Sequence, residues 1–282
     1  MASPDSRPAL IVGCGYLGSR VAAAWLQHGR RVVALTRRRT AELASQGIEP
    51  ILGDVLDPAS LKNLPDASTI LYAVGLDRTA GKSMREVYVE GLRNVLAALP
   101  GASRFLYVSS TSVYGQTDGS LLDETAPTEP LEESGKIVLD AERLLRERRP
   151  SAVVLRFAGI YGPGRVLRRQ ALLNGEPLIG DAEKWLNLIH VEDGVRAVLA
   201  AEERAVSGET YLIADNTPVR RRDFYTLSAQ LLSAPPAWFE PHPPGSPVPP
   251  ESNRRVNNQK ARAELGFVPQ FPSYAEGLRA SV

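Results

Sequence analysis

Apolar positions in the first 160 residues fall into two alternating patterns. Pro8 to Gly13 (PALIVG) is a continuous apolar run, as expected of a strand buried on both faces. Gly18 to Gln27 follows with helical spacing, Val21 and Trp25 standing four apart. Arg31 to Thr36 (RVVALT), Glu49 to Gly53 (EPILG) and Thr69 to Val74 (TILYAV) are further strand-like runs. Met84 to Leu99 reads as a helix with Val87, Gly91, Val95 and Ala98 on one stripe. Arg104 to Val108 is a fifth strand. Ser134 to Arg148 is a long helix with Ile137, Ala141, Leu144 and Leu145 on one face, and Ala152 to Phe157 is a sixth strand. Strands and helices in this alternation predict an α/β fold on a parallel, doubly wound sheet.

The rhythm breaks after about residue 160. Gly162-Pro163-Gly164 is a turn signal. Helices are expected at 171–174, 191–201, 222–232 and 259–265, the last ended by Gly266, and a short strand at 210–214. Residues 235–250 carry eight of the 22 prolines, which excludes a regular helix or a central strand and leaves a lid or a connector.

Composition narrows the function classes. With 33 basic and 32 acidic residues the net charge is +1, so neither nucleic acid nor an anionic membrane is implied as a partner. One cysteine, Cys14, excludes an internal disulfide. His28, His190 and His242 lack ligand spacing, so no metal site is expected. No apolar run approaches the roughly 20 residues of a membrane span, and the N-terminus carries no apolar signal core. A soluble, cytoplasmic protein is the expectation.

The first chemical signal is Gly13-Cys14-Gly15-Tyr16-Leu17-Gly18, directly after a strand and opening a helix. Gly13 permits the tight turn, Gly15 admits a pyrophosphate to the backbone, and Gly18 lets helix and strand pack closely. The helix N-terminus offers N–H groups to phosphates. At the end of the second strand, where a carboxylate would hold an NAD ribose, stands Thr36-Arg37-Arg38-Arg39. Cations there suit a 2′-phosphate, so NADP(H) is expected over NAD(H). Asp57 reads as a helix cap, leaving Asp54, beside Val55, for the adenine amino group. Ala73, Val74 and Gly75 are small enough to let backbone approach the cofactor. Cys14 sits beside a helix N-terminus, which lowers a thiol's pKa. No residue near it argues for a role beyond packing.

The fifth strand ends in Ser109-Ser110-Thr111-Ser112-Val113-Tyr114-Gly115. With GCGYLG, GDVLD, YVSSTSVYG, RFAGIYGPG, NLIHVEDGVRA and NNQKARAELGFVP in this order, the chain resembles the extended, epimerase/dehydratase-like short-chain dehydrogenase/reductases over nearly its whole length. The resemblance implies a Rossmann-type domain over 1–160 and a smaller substrate lobe over 161–282, some of whose elements return to the sheet. It implies hydride transfer on a sugar-like, nucleotide-linked small molecule. It makes Ser110 the residue that bonds the substrate oxygen, with Thr111 as the fallback, while the Tyr of the VYG tripeptide, Tyr114, is structural. It gives Lys136 the nicotinamide ribose. A homodimer fits this picture.

The family's Tyr-x-x-x-Lys pair is broken. Glu132 stands four residues before Lys136, and no Tyr occurs between Tyr114 and Tyr161. The chain is therefore similar to the atypical branch that lacks the active-site Tyr. Three readings of Glu132 stand open: a general acid/base raised by burial, an i,i+4 ion pair with Lys136, or a first-turn carboxylate favoured by the dipole. A protein that binds NADP(H) and senses it without chemistry is the alternative. Arg165, Arg168, Arg169, Arg254 and Arg255 are candidates to clamp a phosphate or carboxylate. His190 is expected to be a structural hydrogen-bonder and Asp193 to cap the following helix.

Overall fold

The computed structural model describes residues 6–99, 101, 103–243 and 251–282. Seven strands make the central sheet: β1 (Ala9–Val12), β2 (Val32–Thr36), β3 (Glu49–Leu52), β4 (Thr69–Tyr72), β5 (Arg104–Ser110), β6 (Val153–Phe157) and β7 (Thr210–Ile213). The helices are α1 (Gly18–Gln27), α2 (Thr40–Ser45), α3 (Gly91–Ala98), α4 (Glu133–Arg148), α5 (Arg169–Leu173), α6 (Val191–Arg204), α7 (Arg221–Leu231), α8 (Gln259–Leu265) and α9 (Tyr274–Arg279). The strand order is β3-β2-β1-β4-β5-β6-β7, and the sheet is parallel. This is the doubly wound Rossmann order, with its reversal beside β1.

The chain forms two compact units. The first comprises Met1–Ser110, Glu133–Arg156 and Val198–Tyr211. One sheet face sets Leu10, Val12, Val33, Tyr72, Phe105 and Val154 against Leu92 and Val95 of α3 and Ile137, Ala141 and Leu145 of α4. Val95 and the α4 residues belong to the stripes read from sequence, while Leu92 does not; burial of that area is the unit's main stabilising term. The segment expected as one helix over 84–99 is helical from 84 to 98, with a π-turn over Glu86–Glu90 set into it ahead of α3. At the junction a β-carbon on Gly91 would lie 2.7 Å from a Val55 methyl, so the segment packs closer there than a side chain allows. On α1, Trp25 is buried and its indole N–H donates to Glu202 at 2.6 Å. That bond ties α1 to the last turn of α6.

The second unit comprises Thr111–Glu132, Phe157–Ala197 and Leu212–Val282. Its core gathers Tyr161, Leu188, Val219, Phe224, Tyr225 and Leu278, with the Tyr161 and Phe224 rings edge-to-face at 6.1 Å. Four two-stranded ladders join distant segments: Gly159–Tyr161 with Leu188–His190, Trp185–Leu186 with Val219–Arg220, Leu178–Ile179 with Phe239–Glu240, and Leu121–Leu122 with Arg255–Val256. Helix α8 ends where expected, Gly266 taking the left-handed φ of +65°. Of the proline-rich stretch, 244–250 lies outside the described residues, and 239–240 is the short strand just named. No described helix is long and apolar enough to cross a membrane.

Candidate dinucleotide site

The first unit carries a cavity of about 470 Å³ at the C-terminal ends of β1, β2, β3 and β4. Three turns build its wall. Gly13 and Gly15 come from the loop between β1 and α1. Thr36, Arg37, Arg38 and Arg39 follow β2, and Asp54 and Val55 follow β3. Ala73, Val74 and Gly75 leave β4 on the opposite side.

The glycines differ in what limits them. Gly13 has φ +99°, and a β-carbon there would stand 2.5 Å from the Ala73 carbonyl. A β-carbon on Gly18 would stand 2.4 Å from the Gly13 carbonyl oxygen, because α1 begins hard against the turn. On Gly15 or Gly75 a β-carbon would meet nothing within 4 Å, so open space lies over both. Leu17 caps α1 without a side-chain bond; within the first turn the Ser19 N–H donates to the Gly15 carbonyl at 2.9 Å and the Arg20 N–H to the Leu17 carbonyl at 3.1 Å. A narrow glycine turn at the start of a helix, with open space over two glycines, fits a dinucleotide's pyrophosphate. Leu17 and Gly18 are buried beneath this turn, and the Tyr16 ring lies under the Arg20 guanidinium at 4.2 Å.

The three arginines after β2 are not equivalent. Arg39 donates to the Cys14 carbonyl at 2.8 Å and forks onto the Glu42 carboxylate, so it braces the glycine turn. Arg37 donates to Asp77 at 2.8 Å. Arg38 makes no hydrogen bond or ion pair among the described residues. Thr36 accepts the Arg39 N–H at 3.1 Å and fixes the turn. Asp54 accepts the Leu56 N–H at 2.9 Å, and Asp57 caps the 3₁₀ turn Pro58–Leu61 by accepting from Ala59. Leu76, Asp77, Ala80 and Lys82 also line the cavity, and sequence reading did not single them out.

Ser110 closes β5 in the first unit. Lys136, on α4 of that unit, is exposed, with its Nζ 3.9 Å from Glu133. Glu132 belongs to the second unit, is exposed, and stands one residue before α4 begins. It is therefore outside the helix, and the helical i,i+4 spacing to Lys136 does not hold for it.

Two other expectations are corrected. Asp193 does not cap α6, which starts at Val191; buried in its first turn, it accepts the N–H groups of Gln270 at 2.6 Å and Phe271 at 2.9 Å. The His190 ring takes an end-capping bond instead, accepting from the Glu192 N–H. Cys14 is not an activated thiol: burial pushes it up to about 11, outweighing the pull of Arg39. Of the arginines proposed as clamps, Arg254 is buried and donates to the Thr111 carbonyl, while Arg255 donates to the Gly119 carbonyl and lies over the Trp185 ring.

Residues 9–214 match the model of the NAD dependent epimerase/dehydratase family. The chain is 28% identical to Protein YeeZ of Escherichia coli strain K12 over 274 residues, 93% of this chain and 95% of that one. It is 25% identical over 307 residues to the 3-diazoavenalumate denitrifying reductase of a Streptomyces species, covering 95% and 98% of the two chains. Among solved structures, MoeE5 in complex with UDP-glucose and NAD is 26% identical with a TM-score of 0.78, over 97% of both chains.

Proposed function

The chain belongs to the NAD dependent epimerase/dehydratase family, of the extended short-chain dehydrogenase/reductase type, and from that premise we propose that it binds NADP(H) and acts as an oxidoreductase on a sugar-like, nucleotide-linked substrate. The observation that carries the cofactor choice is Arg38. It lines the cavity after β2, lacks a partner among the described residues, and stands where a carboxylate would select NAD. The UDP-glucose in the MoeE5 complex supports a nucleotide-linked substrate.

When bound, the nicotinamide gives or takes a hydride at a carbinol carbon. The chain's own residues do the rest. Gly13, Gly15 and the start of α1 hold the pyrophosphate, and Asp54 accepts from the adenine amino group. Lys136 donates to the nicotinamide ribose. The Ser110 hydroxyl donates to the substrate oxygen and fixes its direction. The proton of that oxygen passes to Glu132 or to water, since no Tyr occupies the usual place. The protein works as a cytoplasmic homodimer on a small molecule.

One sequence fact favours a second reading. The stretch between Tyr114 and Tyr161 has no Tyr, which suits an NADP(H) sensor that performs no chemistry.

Mass spectrometry on the purified protein, native and then denatured, tests the proposal. Retained NADP(H) together with a second small molecule supports the enzyme; NADP(H) alone, with no turnover on nucleotide-sugar panels, supports the sensor. Arg38→Ser is expected to weaken NADPH binding about tenfold, by removing one charge-assisted phosphate contact, and to leave NADH unchanged. Equal loss for both dinucleotides in a fluorescence titration would remove Arg38 from the 2′-phosphate.

A further inference from the structure

The Arg37–Asp77 pair spans the dinucleotide cavity. Arg37 leaves β2 and Asp77 lies in the loop after β4. These are the two neighbours of β1, so the pair bridges the two walls of the cavity. The side chains are 42% and 35% exposed, open to exchange with a ligand. Asp77 is held in place without Arg37: its Oδ1 accepts the Thr79 N–H at 3.1 Å and the Thr79 hydroxyl at 2.6 Å. Those two bonds, more than Arg37, keep its carboxyl below the ordinary Asp range. Its Oδ2 is the oxygen turned to Arg37. Arg37 makes no other hydrogen bond among the described residues. It is therefore a cation with one exchangeable partner, whereas Arg39 is fixed by Glu42 and the Cys14 carbonyl.

Resting on the NADP(H) reading above, we propose that Asp77 determines cofactor specificity by competing for Arg37: a ribose 2′-phosphate takes the guanidinium from Asp77, and a 2′-hydroxyl does not. The chemistry of the two competitors decides the exchange. A phosphate brings up to two charges and three acceptor oxygens to a guanidinium built for bidentate contact. A neutral hydroxyl offers one acceptor and no charge, so the carboxylate keeps the arginine. Release leaves Asp77 on its Thr79 bonds, and the loss is limited to one exposed ion pair. Arg38 then takes the phosphate first, and Arg37 is the second cation, available only against Asp77. The acidic residue thus subtracts from NADP(H) affinity and leaves NAD(H) affinity alone.

Titration of the purified full-length protein with NADPH and with NADH tests this, in wild type, Asp77→Asn, Arg37→Met and the double variant. Asn keeps an oxygen for the Thr79 bonds and gives up the charge. Asp77→Asn is expected to tighten NADPH about two- to fivefold, the worth of an exposed ion pair, with NADH unchanged. In the Arg37→Met background the same change is expected to do nothing to the ratio. Equal tightening of both dinucleotides, no tightening at all, or the same gain without Arg37 overturns the proposal. Failure of the NADP(H) reading shows separately: a wild type that prefers NADH refutes that reading while the four-variant cycle still decides Asp77, and a wild type that binds neither refutes both.

Discussion

Glu142→Ala is expected to destabilise the protein by about 3–5 kcal/mol, the cost of leaving a buried charge without its partner. Glu142 lies on α4 and is 5% exposed; Arg156 on β6 is 8% exposed. The guanidinium forks onto both carboxylate oxygens, with Nε to Oε1 at 3.0 Å and Nη2 to Oε2 at 2.7 Å. Ser109 on β5 donates its hydroxyl to the same Oε1. One carboxylate therefore joins a helix and two strands, and alanine would take from the buried Arg156 its charge partner and from Ser109 its acceptor. Arg146, one turn on, is a second cation and cannot take the carboxylate's place; it donates to the Ala152 and Gly208 carbonyls and to the Thr210 hydroxyl. The loss is a large part of the 5–15 kcal/mol that holds a typical domain. Urea unfolding measures it. Ser109→Ala should cost only about 1 kcal/mol, one hydrogen bond. Replacing the pair together, Glu142→Met with Arg156→Leu, should recover most of the single variant's loss. A single variant that unfolds at the wild-type midpoint would refute the account.

The network explains why some of this molecule is legible in sequence and some is not. Buried strands announce themselves as apolar runs, and α1 runs from Gly18 to Gln27 as its spacing predicts. Glu142 announces nothing, because in the sequence it is one more charged position on a helix whose stripe is Ile137, Ala141, Leu144 and Leu145. Its partner lies 14 residues on, and only strand order brings the two together. The same holds at the cavity. Gly13, Gly15 and Arg38 are local signals, placed by a turn and the end of a strand. Asp77 stands 40 residues from Arg37, and they meet because β2 and β4 flank β1. Helix α9 carried a readable sign, Ser273 and Glu276 in a capping box, without a long apolar stripe to call attention to it. The role of Asp193 is hidden in the sequence, because its partners, Gln270 and Phe271, come from the far end of the chain.

Asp215→Asn is expected to stabilise the protein increasingly from about pH 4 to about pH 8 and to leave it unchanged below about pH 4. Asp215 follows β7, is 2% exposed, and accepts the Thr217 N–H on Oδ1 at 3.0 Å. Its Oδ2 has no hydrogen-bond partner among the described residues. Burial, with the carboxylates of Asp193 and Glu276 adding repulsion against the help of Thr217, pushes the group up to about 8. An Asp in the unfolded chain titrates near 3.9. Between these values the folded state holds a proton that the unfolded state has released. The folded form is favoured in full below about pH 4, and that advantage drains away as pH rises to about 8. Above that the carboxylate is charged in both states and the whole penalty is present. Asparagine keeps an acceptor for Thr217 and cannot ionise, so the variant escapes the penalty. Its gain over wild type should grow through the window and level off near pH 8, at a size on the order of 5 kcal/mol. Thermal unfolding of both proteins from pH 4 to pH 9 reads this directly. The two midpoints should coincide in acid and part steadily toward alkali. A gap of constant size, or a variant that melts first at pH 8, would show that Asp215 is not held protonated by its burial.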